Sequence, residues 1–367
     1  MIGEKLSGRN SLNFLRLTLA LTVLASHAFV LGGFGSETNL LHGTSFGTVA
    51  VYCFFGISGY LIAGSAAHNG FGGYLWRRFL RIFPAFWVCL VVTAFGFGLV
   101  AWLNAGHSTG QYLNVTKGNP FDYVYRNALL KMNQLTLAGG EADGSLWTLF
   151  YEFLCYLILG ALALAGILRR RSWVLVATVG LWVVAAVITG DSGLDNRFNV
   201  FHNWVWMNLI KFAVIFFVGA VVYLYREVIP DSGWLAAGCA GLFIVSLWLP
   251  TEGGASAYNF TASGLLAPLV TYPMLWLGIH LPFERIGAHN DYSYGTYIYA
   301  YPVTVLLVIW HVQRWGYMPF LLATAAVTAI FAAGSWWVIE KRALSLKKIE
   351  VSALRRKGPP AVEPSST

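Results

Sequence analysis

The sequence predicts an all-α integral membrane protein, a polytopic bundle of about ten transmembrane helices with both termini in the cytoplasm. Three observations carry that prediction. Of 367 residues, 57% are hydrophobic and only 11% charged, where a soluble domain has about 25% charged; mean hydropathy is +0.61. Apolar stretches close to the length of a membrane-crossing helix recur along the chain. Basic residues alternate between the stretches in the pattern that retention on the cytoplasmic side imposes.

The stretches fall at about 12–33, 46–67, 82–103, 146–168, 172–190, 204–225, 233–250, 261–280, 291–312 and 317–339. The first begins too late and runs too long for a removable signal peptide, and is read as retained. Gly56, Gly59, Pro84, Pro268, Pro273 and Pro302 lie inside spans, which a buried bundle tolerates better than a soluble helix. With the N-terminus in the cytoplasm, seventeen of the 24 Lys and Arg residues fall in cytoplasmic segments. The net charge of +8 therefore reports orientation and contact with membrane lipids, not nucleic-acid binding. Cys53, Cys89, Cys155 and Cys239 sit in apolar runs without CxxC spacing, so neither a disulfide framework nor a metal site is expected. The segment 104–145 suggests a short amphipathic helix over 121–138. The membrane domain is expected to cover 1–345, with a basic, Pro-rich and disordered cytoplasmic tail over 346–367.

Five patches could carry chemistry, and each has a plainer structural reading. In LNFLRLTLALTVLASHAFVL (12–31), Arg16 and His27 are eleven positions apart, about three turns at roughly 100° per residue, so they share a face. The rise between them is on the order of 16 Å, about half a hydrocarbon core. Ionisable groups at such depth face a protein interior or a wet cavity; a snorkelling Arg and a structural His are the alternative. In FFGISGYLI (54–62), Ser58 places a hydroxyl between glycines that equally suit close helix packing. In WRRFLRIFPAFW (76–87), Arg77, Arg78 and Arg81 cluster on one helical surface, fit to fork onto phosphate or simply to orient the helix. In SLWTLFYEF (145–153), Ser145, Thr148 and Glu152 form a polar stripe. Glu152 lies deep enough to need a partner, Arg16 or His27, for catalysis or as a structural ion pair. In NDYSYGTYIYAYPV (290–303), Asn290 or Asp291 can cap a helix whose tyrosines form either a sugar-facing wall or an interfacial belt. No Walker loop or GxGxxG turn is present, so a nucleoside-triphosphate pump is not expected.

Together these patches resemble the acyltransferase 3 family of integral membrane O-acyltransferases, in the stand-alone form without a fused periplasmic domain. The resemblance rests on Arg16 and His27; on Phe55, Ser58, Gly59 and Tyr60; on Arg77, Arg78, Arg81, Ile82 and Pro84. It continues through Ser145, Leu146, Trp147, Thr148 and Glu152, and through Ser293, Tyr294, Gly295, Tyr297 and Pro302. Order and spacing agree over about 10–345. Many members carry His before the last Pro, where this chain has Ala300 and Tyr301, and many end the last span Glu-Lys-Pro, where it has Glu340, Lys341 and Arg342.

The resemblance implies an O-acetyltransferase that moves an acyl, typically acetyl, group from acetyl-CoA to a hydroxyl of a carbohydrate or glycoconjugate. O-antigen, exopolysaccharide and signalling oligosaccharides are such acceptors. Acetyl-CoA is a donor substrate, and no permanently bound cofactor or metal is implied. Arg77, Arg78 and Arg81 are expected to bind the donor's phosphates at the cytoplasmic mouth of a multi-pass protein of the bacterial inner membrane. His27 is the expected general base, or the carrier of a covalent acyl group. Arg16, Ser58 and Trp147 are expected to position the donor or stabilise negative charge, Glu152 to orient the polar interior, and Tyr297 to line the substrate path. The rival from another class is a transporter or exporter of a polar glycan or metabolite.

Overall fold

A computed structural model describes residues 1–6, 8–36, 44–137, 140–190, 204–248 and 265–347. The described chain is almost wholly helical: α1 (Ile2–Leu6), α2 (Leu12–Leu31), α3 (Phe46–His68), α4 (Phe71–Asn104), α5 (Thr109–Leu113), α6 (Pro120–Asn127), α7 (Trp147–Leu164) and α8 (Arg171–Gly190) come first. Then follow α9 (Trp204–Leu224), α10 (Gly233–Leu247), α11 (Thr271–His280), α12 (Ser293–Ile309) and α13 (Tyr317–Ser345). Six of these, α2, α3, α4, α7, α9 and α13, are long and apolar enough to cross a bilayer, and parts of α8, α10 and α12 form shorter apolar helices. The chain is thus a multi-pass, all-α membrane protein. Every apolar stretch read from the sequence coincides with helix, although residues 249–250 of the seventh stretch and 261–264 of the eighth lie outside the described residues, as does the tail from 348 onward.

One expectation is extended and another needs correction. The helix that carries the third span starts at Phe71, ahead of the apolar stretch from 82, because nothing between Phe71 and Asn104 breaks it: Pro84 is absorbed within it, and Val92–Gly98 winds as a π-helix. The Arg cluster is therefore on the spanning helix itself. The expected helix over 121–138 is only α6. Asn119 caps it and Pro120 opens it, but Leu130 turns to φ 68°, and Asn127 exchanges two hydrogen bonds with the Gln134 backbone (2.7 and 3.1 Å). A two-residue hairpin then pairs Thr136 with Glu141 and Leu137 with Gly140.

The centre of the bundle forms where helices approach closely enough to touch backbones. A Cβ on Gly59 would lie 1.8 Å from the Phe216 carbonyl oxygen, and one on Gly219 2.2 Å from that of Gly56. Small residues at this α3–α9 crossing give van der Waals contact that apolar bulk cannot supply in lipid. Helix α2 packs against α3, α12 and α13. It runs parallel to α12, since Arg16 meets Asp291 just before α12 starts and His27 meets Tyr301 ten residues on. This parallel pair sets the axis of the functional site.

Candidate active site

At the end of the bundle where α2 and α12 begin, four charged side chains form one network. Asp291 Oδ1 accepts from Ser293 N (3.1 Å) and Ser293 Oγ, at the first residue of α12. Its Oδ2 accepts from Arg16 Nη1 (2.8 Å) and Arg81 Nη2 (2.6 Å). Arg81 Nη1 reaches Glu340 Oε2 at 3.4 Å, and Ser335 Oγ donates to Glu340 Oε1 at 3.0 Å. The Glu340 side chain is 2% exposed, so this carboxylate depends on Arg81 for its counter-charge. Burial alone would raise the pKa of Asp291, but Arg16 and Arg81 outweigh it and hold the carboxyl well below the usual range. The clamp therefore stays ionised at neutral pH.

One layer deeper, Ser58 Oγ donates to Glu152 Oε1 at 2.9 Å, and the Tyr156 hydroxyl donates to the same oxygen. Neither Arg16 nor His27 is hydrogen-bonded to Glu152. Arg16 is drawn instead to Asp291, and His27 lies about three turns further along α2, so hydroxyl donors on α3 and α7 satisfy this carboxylate. Arg16, Ser58, Thr148, Glu152, Tyr294 and Tyr297 line a small cavity of about 50 Å³, room for only a few waters. Tyr297 is hydrogen-bonded to Thr148 and donates to the Ser145 carbonyl (3.1 Å). Trp147 points elsewhere, packing edge-on to Tyr151 with centroids 5.7 Å apart.

His27 lies beyond the Tyr297 contacts and does not line that cavity. Its ring meets Tyr301 edge-on, with centroids 4.9 Å apart. Gly144 makes room for Tyr301, since a Cβ there would come within 2.8 Å of the phenol ring. Beside it Asp143 Oδ1 accepts from Ser145 N (2.7 Å), Ser145 Oγ (3.0 Å) and Leu146 N (3.2 Å), closing the turn that leads into α7. Burial pushes this carboxyl up to about 7 despite those donors. A second cavity of about 460 Å³ opens at this end; Leu31, Phe97, Trp102, His107, Glu141 and Leu306 are among its lining.

Arg77 and Arg78 have no ion-pair partner among the described residues, and the Nε of each is buried without a hydrogen bond. Arg78 lies over the Tyr156 ring at 5.9 Å. The structure thus assembles Arg16, Ser58, Glu152 and Tyr297 around one cavity, joins Arg81 to Arg16 through Asp291, and sets His27 and Trp147 apart. Asp291, read only as a cap, and Glu340, read only as a helix end, are the charged partners that sequence reasoning missed. Lone acids bordering apolar spans were the available signal.

A multi-pass helical bundle with paired charges, hydroxyls and an imidazole along one interior axis is the scaffold of a membrane-embedded enzyme or carrier. Comparison with known proteins separates these. The chain belongs to the acyltransferase 3 family, described as an acyltransferase domain, which matches residues 9–340. It is 29% identical over 345 residues to an O-acetyl transferase of Shigella phage Sf6, covering 94% of this chain and 98% of that one. It is 27% identical over 371 residues to Nodulation protein 10 of Rhizobium leguminosarum bv. viciae, covering 92% and 94%. No solved structure matches it. The protein is a membrane acyltransferase.

Proposed function

We propose that this protein is an O-acetyltransferase of the bacterial inner membrane that takes acetyl from acetyl-CoA in the cytoplasm and places it on a hydroxyl of an envelope or exported carbohydrate. The observation that carries the reading is the parallel α2–α12 pair. It bears a guanidinium–carboxylate clamp at its start and an imidazole beside a phenol about three turns later. In this reading all ten apolar stretches cross or enter the membrane, and the clamp lies at the cytoplasmic mouth.

The donor's phosphates meet Arg77 and Arg78, while its pantetheine arm runs past Arg16, Ser58 and Glu152. Reaching His27 requires the Tyr297–Thr148 contact to part. The acceptor approaches from the opposite end, where Trp102 offers an aromatic face and Glu141 an acceptor for sugar hydroxyls. His27 then takes the proton from the acceptor hydroxyl as its oxygen attacks the thioester carbonyl. The tetrahedral intermediate collapses with cleavage of the C–S bond, and the proton leaves with the CoA thiolate. Arg16 and Ser58, which line the cavity about three turns of α2 before His27, position the donor's arm. Labelled acetyl-CoA supplied to purified protein with a pool of bacterial envelope glycans tests the whole reading. Labelled glycan is expected; release of free acetate alone, or no turnover, would overturn it.

A further inference from the structure

The helix that carries Glu340 continues through Ser345 and packs on α4, bringing Lys347 into the electrostatic field of Arg77, Arg78 and Arg81. These four cations are not equivalent. Arg81 is enclosed by Asp291 and Glu340, and Asp291 also holds Arg16; among the described residues none of the other three cations has an ion pair. Arg77 and Arg78 keep buried, unpartnered Nε groups. Burial, then Arg78, Arg81 and Arg77, push the Lys347 ammonium down to about 8, with Asp291 opposing only weakly. Three cations therefore converge at this mouth with no ion-pair partner among the described residues. Such a cluster is costly unless a ligand supplies negative charge, and the ligand chemistry that fits two guanidiniums and an ammonium is a phosphoryl group.

We infer that Lys347 joins Arg77 and Arg78 as a phosphate-binding residue for the nucleotide part of the acyl donor, while Arg81 is the internal strut that holds α4, α12 and α13 together. The inference rests on the proposed acetyl-CoA donor and refines it. The sequence conceals the residue, since Lys347 follows the last span in a basic stretch that otherwise reads as an orientation signal.

Binding of CoA and of pantetheine, which lacks all of the phosphates, to the full-length protein separates the possibilities. The protein would be held in phosphatidylcholine nanodiscs and, in parallel, in nanodiscs containing phosphatidylglycerol. Lys347→Gln is expected to weaken CoA binding about tenfold, the size of one charge-assisted contact. It should leave pantetheine binding and the melting temperature unchanged, and Lys347→Arg should restore CoA affinity. Equal CoA affinity in Lys347→Gln and wild type, or equal loss for CoA and pantetheine, would overturn the assignment. So would a Lys347 effect on phosphatidylglycerol retention with none on CoA, which would make the cluster a lipid-headgroup site. Wild-type protein that binds no CoA would instead overturn the proposed donor itself.

Discussion

Asp291, partly buried, and Asp143, fully buried, are the same side chain at opposite ends of one helical bundle, and they are held in opposite states. Asp291 faces two guanidiniums and is fixed as a carboxylate. Asp143 accepts from Ser145 and Leu146 with one oxygen, while the other has no hydrogen-bond partner among the described residues, and its pKa rises towards neutrality. What differs is counter-charge. The first end keeps permanent charges in place in a low-dielectric setting, which suits the proposed phosphorylated donor. The second end has an imidazole, phenols and a protonatable acid but no nearby guanidinium among its described contacts, as proton transfer from a hydroxyl requires.

The sharpest way to break this contrast is at Arg81. Arg81→Ala removes the counter-charge of Glu340 and half of that of Asp291, and is expected to cost about 3–5 kcal/mol of stability. The loss would be read as a lower melting temperature of the purified protein. Arg81→Met combined with Glu340→Gln should recover much of it, because the stranded charge is gone. If Arg81→Ala melts like wild type and only raises the need for acetyl-CoA, Arg81 is a donor ligand and not a strut.

The next effect is on pH. The folded pKa of Asp143 lies above its unfolded value, so its contribution to stability is present below about pH 4 and is lost as pH rises to about 7. Asp291 is the reverse: its folded pKa is depressed, so its contribution is present above about pH 4 and falls away in stronger acid. Melting curves of Asp143→Asn should lack the loss of stability between about pH 4 and 7 that wild type shows; an unchanged slope would place the titration elsewhere. The smallest effect is expected at Ser58→Ala. It removes one of two hydroxyl donors to Glu152 and should cost about 1 kcal/mol, seen as a modest fall in acetylation rate; full wild-type activity would remove Ser58 from the donor path.

Much of this arrangement can be read before any coordinates. Apolar length locates the helices, and the eleven-residue interval places Arg16 and His27 on one face because helical periodicity is local. The glycines of FFGISGYLI serve packing, as Gly59 against Phe216 shows, while Ser58 between them serves the polar interior, so both readings of that stretch apply to different residues. Long-range pairing is where sequence reasoning stops. Nothing local says that Arg81 will meet Asp291, 210 positions away, or Glu340, 259 away. The same limit hides the Ser58–Glu152 bond and leaves Arg16 or His27 as the expected partner. The overlong helix expected over 121–138 failed for a local reason: the Leu130 turn and the Asn127–Gln134 closure depend on side-chain bonds that periodicity does not register.

The central claim is that the imidazole end performs the proton transfer while the guanidinium end holds the donor. Transfer of labelled acetyl from acetyl-CoA to glycan by purified His27→Ala tests it most directly. Loss of a positioned base predicts a rate at least about a hundredfold below wild type, with melting temperature and CoA affinity unchanged. Labelled glycan formed by His27→Ala at the wild-type rate would contradict the account.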